Sequence, residues 1–167
     1  LNEARQAGVD TVVVAPSSSV YGSSAELPKV ETMPESPESP YALSKHFTEK
    51  LALQCSELYE IDTVALRYFN IFGPRQDPKG AYAAVIPKFI DLMLDGERPV
   101  IYGDGDQSRD FTHIDNAVQA NILAAEGDVT GEVFNVGTGG RITVNKLVED
   151  LNALLGTDLE PVYDDPR

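Results

Sequence analysis

Tyr41 and Lys45 are the residues of this chain best suited to acid–base chemistry. Four positions apart on a helix, a tyrosine and a lysine lie on one face, one turn apart, so the ammonium can sit beside the phenol. A nearby positive charge favours the phenolate and lowers a pKa that starts at about 10, giving a base usable near neutral pH. The spacing alone is a weak indication, because an exposed helical pair shows it too.

The neighbouring segments predict how this pair is positioned. Residues 12–15 predict a buried parallel strand that runs into a run of three serines, Ser17, Ser18 and Ser19, whose hydroxyls could share a proton. Pro40 predicts a helix start directly before Tyr41. The sequence therefore places the serines at a strand end and the tyrosine at the start of a helix.

Strands and helices alternate along the whole chain, which predicts an α/β fold with a parallel sheet. Gly96, Gly127 and Gly156 mark helix ends, and Thr143 is a suitable N-cap for the last helix. Residues 25–39, rich in Pro, Glu and Ser, predict a surface loop. The predicted strands are 11–15, 62–69, 98–103, 132–137 and a short one near 159–164, and the helices are 41–59, 85–95, 115–126 and 144–155.

The composition limits the classes of partner. The chain has 167 residues, 42% of them hydrophobic, enough for one core. Its net charge of −14 and only 13 Lys and Arg argue against nucleic acid as a partner. Two explanations of the acidity stay open: a surface kept monodisperse by self-repulsion, and adaptation to a salt-rich cytoplasm.

The single cysteine, Cys55, excludes an intrachain disulfide and indicates a reducing, cytoplasmic compartment. The apolar spacing of Leu43, Phe47, Leu51 and Leu58 around it predicts a core thiol. No apolar run approaches the roughly 20 residues of a membrane span, and no secretory leader is visible, so no membrane partner is expected.

The two histidines do not indicate a metal site. His46 and His113 are far apart and have no Cys or His companions at ligand spacing. His113 stands at a predicted helix start, which favours a capping or packing role over catalysis.

Two further motifs complete a pattern. Residues 67–75 have the sequence RYFNIFGPR, and residues 103–111 have the sequence GDGDQSRDF. With the serine run and Tyr41-x-x-x-Lys45, in this order, they resemble the extended short-chain dehydrogenase/reductase family, specifically its NAD-dependent nucleotide-sugar epimerases of the UDP-glucose or UDP-N-acetylglucosamine 4-epimerase type.

The resemblance implies a fold and a division of the chain. It implies a partial Rossmann-like parallel sheet with a small substrate-binding α/β subdomain. Residues 1–75 would belong to the NAD-binding domain, and residues 76–167 mainly to the nucleotide-sugar region, with strand 132–137 returning to the main sheet.

Members of that family begin with a strand, a Gly-x-x-Gly-x-x-Gly turn and a helix that hold the dinucleotide. This chain has no such segment, and residues 1–8 predict only the last turns of a helix closed by Gly8. Residues 137–140 fail as a substitute, because Ile142 stands where a third glycine is needed, and they predict a strand-ending turn. The resemblance therefore implies an inactive internal piece of a protein roughly twice as long.

The resemblance also implies a chemistry. Tyr41 would take the proton of a sugar hydroxyl while hydride leaves for NAD, and hydride would return to the opposite face of the ketosugar. Lys45 would also hold the nicotinamide ribose, Tyr68 would contact the cofactor, and Ser17 would share the proton. Ser18 and Ser19 would line the sugar pocket, with a turn hydroxyl as the alternative for Ser19.

The serine run separates two reactions. Related dehydratases carry Asp and Glu directly after the catalytic Thr, whereas this chain has Ser18 and Ser19, which cannot drive elimination at neutral pH. An epimerase is therefore preferred. The alternatives are a dehydratase, reductase or decarboxylase of the same family, or a noncatalytic fragment.

The substrate residues follow from the same resemblance. Arg109 and Asn70 match residues that bind the diphosphate in that family. The alternative for Arg109 is an ion pair with Asp110 or Asp115. The alternative for Asn70 is a role in a turn. A second set would surround the nucleotide base, with an ordinary core or strand role as the alternative: Ala84 and Val85, by backbone contacts within the matching stretch 80–88, and Val100 and Tyr102. Arg75 and Lys88 are further charged candidates, with a surface role as the alternative. In the intact family two long helices often build a homodimer, and helix 41–59 is a candidate for that role.

Overall fold

The structure is a computed structural model that describes residues 1–79 and 84–166. The chain divides into two compact units, the first comprising Leu1–Ile71 and Thr112–Gly137 and the second Phe72–Phe111 and Thr138–Arg167. Within residues 76–167, which the sequence assigns mainly to the nucleotide-sugar region, the helix Ile114–Glu126 lies in the first unit.

The elements alternate largely as expected, with several short strands in addition. In chain order they are α1 (Asn2–Gln6), β1 (Thr11–Val14), a 3-10 helix (Ser18–Tyr21), α2 (Pro40–Leu58), β2 (Asp62–Tyr68), β3 (Asn70–Phe72), α3 (Val85–Leu94), β4 (Val100–Tyr102), β5 (Ser108–Arg109), β6 (Phe111–His113), α4 (Ile114–Glu126), β7 (Glu132–Val136), β8 (Ile142–Thr143), α5 (Val144–Leu155) and β9 (Val162–Asp164).

A parallel sheet in the order β1-β2-β7 forms the centre of the first unit. Its register places Val13 opposite Val64 and Leu66 opposite Phe134. The predicted α/β fold with a parallel sheet is confirmed. Because parallel strands end at the same edge, the residues that follow β1 and β2 lie side by side. Ser17, just after β1, forms a bridge with Tyr68 at the end of β2.

The central strand β2 alternates its side chains between two helices. Thr63 donates from its hydroxyl to a carbonyl of α2 at 3.0 Å, and Arg67 pairs with a carboxylate of the same helix. Val64 and Leu66 face the other way and pack with Ala124 of α4. The sheet is therefore covered by α2 on one face and by α4 on the other.

Helix α2 begins where the sequence predicts. The Ser39 hydroxyl accepts a hydrogen bond from the Ala42 amide at 3.1 Å, and Pro40 occupies the first turn. Tyr41 therefore lies within the first turn of the helix, and Lys45 lies one turn further along.

The apolar stripe of α2 corrects an expectation. Its members were predicted to form a core face, but all four are exposed, and Cys55 is only half-buried. The exposed fractions are 58% for Leu43, 64% for Phe47, 45% for Leu51 and 62% for Leu58. Among residues 1–79 and 84–166, no helix is long and apolar enough to cross a bilayer.

The second unit has its own apolar core between α3 and α5, formed by Ile86, Phe89, Met93, Ile101, Val144, Leu147, Val148 and Leu151. Strand β4 pairs in parallel with β9, and β5 pairs antiparallel with β8. The ends of α5 follow the prediction: the Thr143 hydroxyl accepts from the Lys146 amide at 3.0 Å, and Gly156 is left-handed with φ 69°.

Candidate active site

The predicted catalytic pair is assembled in the first unit. The Lys45 ammonium lies 5.8 Å from the centroid of the Tyr41 ring. It also donates a hydrogen bond of 2.9 Å to the carbonyl of Ala15, directly after β1. Tyr41 is 57% exposed, so its ring is open to a ligand. The structure thus places a fixed positive charge beside an accessible phenol, at the carboxyl end of a parallel strand.

The three serines lie in a tight turn that we call the serine turn, Ser17 with the 3-10 helix Ser18–Tyr21. Ser17 caps this helix, because its hydroxyl accepts from the Ser19 amide at 3.2 Å. Helix α2 packs against the turn. The Ser19 hydroxyl is buried and has no hydrogen-bond partner among the described residues. A buried hydroxyl without a partner is unfavourable, which makes it a candidate to bind a ligand group.

Tyr68 and Asn70 follow one another at the end of β2 but differ in setting. The Tyr68 hydroxyl accepts from the Asn121 side chain of α4 at 2.6 Å, on the sheet face opposite α2. Burial raises the pKa of Tyr68 above its ordinary value, and the hydrogen bond from Asn121 offsets part of that rise. Asn70 is exposed at the start of β3. The role predicted for each stays a prediction.

In the second unit, Arg109 is an exposed residue of β5, held opposite Ile142 by the ladder with β8. The two acidic residues considered as its partners are engaged elsewhere. Asp110 accepts from the Thr138 and Gly139 amides, each at 2.9 Å, and Asp115 lies 3.3 Å from His113. The role predicted for Arg109, binding of a diphosphate, stays a prediction.

The residues predicted around the nucleotide base are spread over the second unit. Ala84 is the N-cap of α3, and Val85 packs against the core of that unit. Val100 and Tyr102 are half-buried on β4. Residues 80–83, part of the same predicted stretch, lie outside the described residues. Of the two charged candidates, Lys88 is half-buried, whereas Arg75 is exposed with φ 69°.

A buried ionic network beside the pair was not predicted. Arg67 is 1% exposed, and its guanidinium donates to both carboxylate oxygens of Glu49, at 2.7 and 2.6 Å. It also donates to the Tyr21 hydroxyl at 2.9 Å and to the Glu35 carboxylate. These four residues are called the Arg67 network. Two sequence signals could have revealed it: an arginine within an apolar strand, and a glutamate four positions after Lys45.

Hydrogen bonds and nearby charges shift the pKa values of Arg67 and Glu35 within the network. Burial alone would lower the pKa of Arg67, but the hydrogen bonds to Glu49 and Tyr21 more than offset it and raise the pKa above its ordinary value. Burial would likewise raise the pKa of Glu35, but the hydrogen bond from Lys50 and the charges of Lys50 and Arg67 lower it. Arg67 and Glu35 are therefore both charged at neutral pH.

Glu35, His46 and Glu49 bring potential metal-binding atoms within 4.8 Å of one another. Both carboxylates already accept from cations, since Arg67 binds each of them and Lys50 lies 2.8 Å from Glu35. A divalent ion there would face two fixed positive charges, so this donor set does not fit a metal.

Comparison with known proteins agrees with this geometry. The model of the NAD dependent epimerase/dehydratase family matches residues 1–137. A putative UDP-glucose 4-epimerase of Methanocaldococcus jannaschii is 42% identical over 164 residues, which are 98% of this chain and 53% of that protein.

Solved structures give the same result. The UDP-N-acetylglucosamine 4-epimerase of Methanobrevibacter ruminantium, in complex with UDP-N-acetylmuramic acid, superposes with a TM-score of 0.95 at 46% identity, over 98% of this chain and 53% of that one. The UDP-glucose 4-epimerase of Thermus thermophilus, in complex with NAD, has a TM-score of 0.89 at 32% identity, over 99% and 55%. The chain spans about half the length of these relatives. It belongs to the NAD dependent epimerase/dehydratase family.

Proposed function

We propose that this chain supplies the acid–base residues and much of the nucleotide-sugar site of an NAD-dependent UDP-sugar 4-epimerase. The observation that carries the proposal is the Lys45 ammonium, fixed by the Ala15 carbonyl and 5.8 Å from the Tyr41 ring. Relatives that act on UDP-glucose and UDP-N-acetylglucosamine support the substrate class.

The donor set fits NAD. Lys45 offers an ammonium to ribose hydroxyls at an open strand end, where ligands of parallel α/β sheets bind. The nicotinamide ring of NAD supplies the acceptor, and then the donor, of hydride. Tyr41 would remove the proton of the 4-hydroxyl and later return it. Lys45 would stabilise the negative charge that develops on the Tyr41 oxygen.

The serine turn supports an epimerase over a dehydratase. Ser17 would share the proton with Tyr41. The buried hydroxyl of Ser19, which has no hydrogen-bond partner within residues 1–79 and 84–166, would bind a sugar hydroxyl. Elimination of water needs an acid and a base next to the catalytic hydroxyl, and Ser18 and Ser19 supply neither. The ketosugar would therefore be reduced again rather than dehydrated.

The second unit would hold the nucleotide diphosphate. A diphosphate needs fixed positive charge, and the guanidinium of Arg109 offers it on a strand held by a ladder. The backbone of Ala84 and Val85, with Val100 and Tyr102, would surround the base.

The test uses the full-length protein that contains this chain. With NAD and UDP-glucose or UDP-N-acetylglucosamine, proton NMR of the 4-position should show the galacto epimer, and Tyr41→Phe should abolish it. Unchanged sugars in the presence of bound NAD would refute the proposal and favour a reductase or decarboxylase. The 167-residue chain alone, which lacks the glycine-rich turn, should bind NAD poorly; submillimolar affinity would contradict this.

The exposed stripe of α2 supports a homodimer as the working form. Leu43, Phe47 and Leu51 follow one another at four-residue spacing, as in helices that pair with a second helix. In the full-length protein, Phe47→Glu should shift the mass measured by light scattering from dimer to monomer. Leu154→Glu on α5, also at an exposed leucine, is the matched control. A cytoplasmic location is part of the same proposal, and cell fractionation tests it.

A further inference from the structure

The Arg67 guanidinium ties together the elements that carry the predicted catalytic residues. Arg67 lies on β2, directly before Tyr68, whose backbone forms the bridge with Ser17. Glu49 lies on α2, four residues after Lys45 and eight after Tyr41, hence on the same side of the helix.

The serine turn is tied to the same guanidinium through its last residue. Tyr21 is 1% exposed, and its ring lies 5.0 Å from the guanidinium carbon. Its hydroxyl accepts from Arg67 and donates to the Asn135 side chain of β7 at 2.7 Å. The turn is therefore fixed at both ends, by the bridge at Ser17 and by two hydrogen bonds at Tyr21.

The loop between the turn and α2 joins the network as well. The Glu35 carboxylate accepts from Arg67, and the Glu31 carboxylate accepts from the Asn135 amide at 2.6 Å. The Ser36 amide donates to the Val20 carbonyl at 2.7 Å. A segment that the sequence predicts as a surface loop is thus attached to the sheet and to the serine turn.

We propose that Arg67, with Glu49 and Tyr21, is a positioning residue of the reaction, which fixes the serine turn against the helix that carries Tyr41 and Lys45. This inference rests on the proposed function. The guanidinium donates its hydrogen bonds to Glu49, Tyr21 and Glu35, so it acts on Tyr41 and Lys45 through the elements it holds. Rates of reaction fall steeply with displacement, because a shift of about 1 Å can reduce them about a hundredfold.

A buried ion pair that only stabilises the fold is the alternative. It would change the fraction of folded protein, whereas kcat per folded molecule would be unchanged. A positioning role predicts that kcat falls per folded molecule. It predicts only a small change in KM for the UDP-sugar, since the nucleotide contacts of the second unit are untouched and only the Ser18 and Ser19 contacts to the sugar are disturbed. Local amide exchange separates the two roles without any turnover.

The test compares three variants of the full-length protein. Glu49→Gln keeps the shape but removes the charge and one acceptor of Arg67. Tyr21→Phe removes only the hydroxyl that accepts from Arg67 and donates to Asn135. If Glu49→Gln does not fold, this variant distinguishes a positioning role from a purely stabilising one. Glu57→Gln is the matched control: it makes the same chemical change on an exposed residue of α2, whose carboxylate accepts a hydrogen bond from Gln54.

For Glu49→Gln we expect kcat per folded molecule to fall about tenfold or more, with KM within about threefold of wild type, and Glu57→Gln to be unchanged. Amides of residues 17–22 and 41–46 should exchange about tenfold faster, while those of α5 should not. Tyr21→Phe should show the same changes at smaller size.

Unchanged kcat and unchanged exchange in a folded Glu49→Gln or Tyr21→Phe protein would overturn the inference, as would equal effects in Glu57→Gln. If the wild-type protein converts no UDP-sugar, the proposed function fails separately. The exchange measurement then decides by itself whether the network holds the serine turn and the first turns of α2.

Discussion

Replacement of Lys45 by methionine tests the central feature of the site, the charge beside Tyr41. The ammonium lies 5.8 Å from the ring centroid. If this centroid distance is taken as the separation of the two charges, they interact by about 3 kcal/mol for an effective dielectric constant of about 20. Because the ring is more than half exposed, water screens part of this, and we expect a loss of about 1 to 3 kcal/mol of transition-state stabilisation. That corresponds to a fall in kcat of about 5- to 150-fold.

The assay is the NMR epimerisation assay with the full-length protein and saturating NAD. Lys45→Arg keeps a positive charge and should recover part of the activity. Lys146→Met makes the same change as Lys45→Met on an exposed residue of α5, where the lysine pairs with Glu149 and Asp150, and it should leave kcat unchanged. A Lys45→Met protein that binds NAD and retains kcat within about twofold of wild type would refute the electrostatic argument.

Three further predictions concern stability. The pKa of Glu35 is lowered from 4.5, so its ionic contacts stabilise the protein above that pH and are lost as the pH falls through the lowered value. The decrease in Tm caused by Glu35→Gln should therefore be largest near neutral pH and should vanish in acid. A decrease that does not depend on pH would contradict this. Gly105→Ala should lower the Tm of the protein more than Gly96→Ala does. Both positions have a positive φ, but only the methyl group introduced at position 105 would overlap the side-chain amide of Asn145. Equal decreases in Tm would disprove the overlap. If the net charge of −14 reflects adaptation to salt, the protein should unfold on dilution into low salt, and indifference to salt would exclude that explanation.

The long elements could be predicted from local sequence. Helix α5 has a capping threonine, an apolar face and a glycine that ends it, and the structure gives the predicted span, Val144–Leu155. The Tyr41 helix was predicted within one residue at each end, because Ser39 and Pro40 define its start. The ends of both helices therefore depend on residues that are close together in the sequence.

Features that depend on distant partners were missed. The two-residue strands β5 and β8 exist only because they pair with each other across more than thirty residues. The stripe on α2 has the spacing of a core face, but spacing does not show what covers it. The partners of Arg67 come from α2, the serine turn and the loop, and no local pattern in the sequence joins them.

The alternation of side chains along β2 has a consequence for the fidelity of folding. A slip of one residue in the register of this strand would exchange its two faces. Arg67 would then point at the apolar surface around Ala124, and Glu49 would lose the guanidinium that binds both of its carboxylate oxygens. A buried charge that loses its partner destabilises the fold by several kcal/mol, whereas a slip in a purely aliphatic strand would destabilise it far less. The arginine thereby selects a single pairing of β2 with β1 and β7 among the near-equivalent ones that valines and leucines alone would permit.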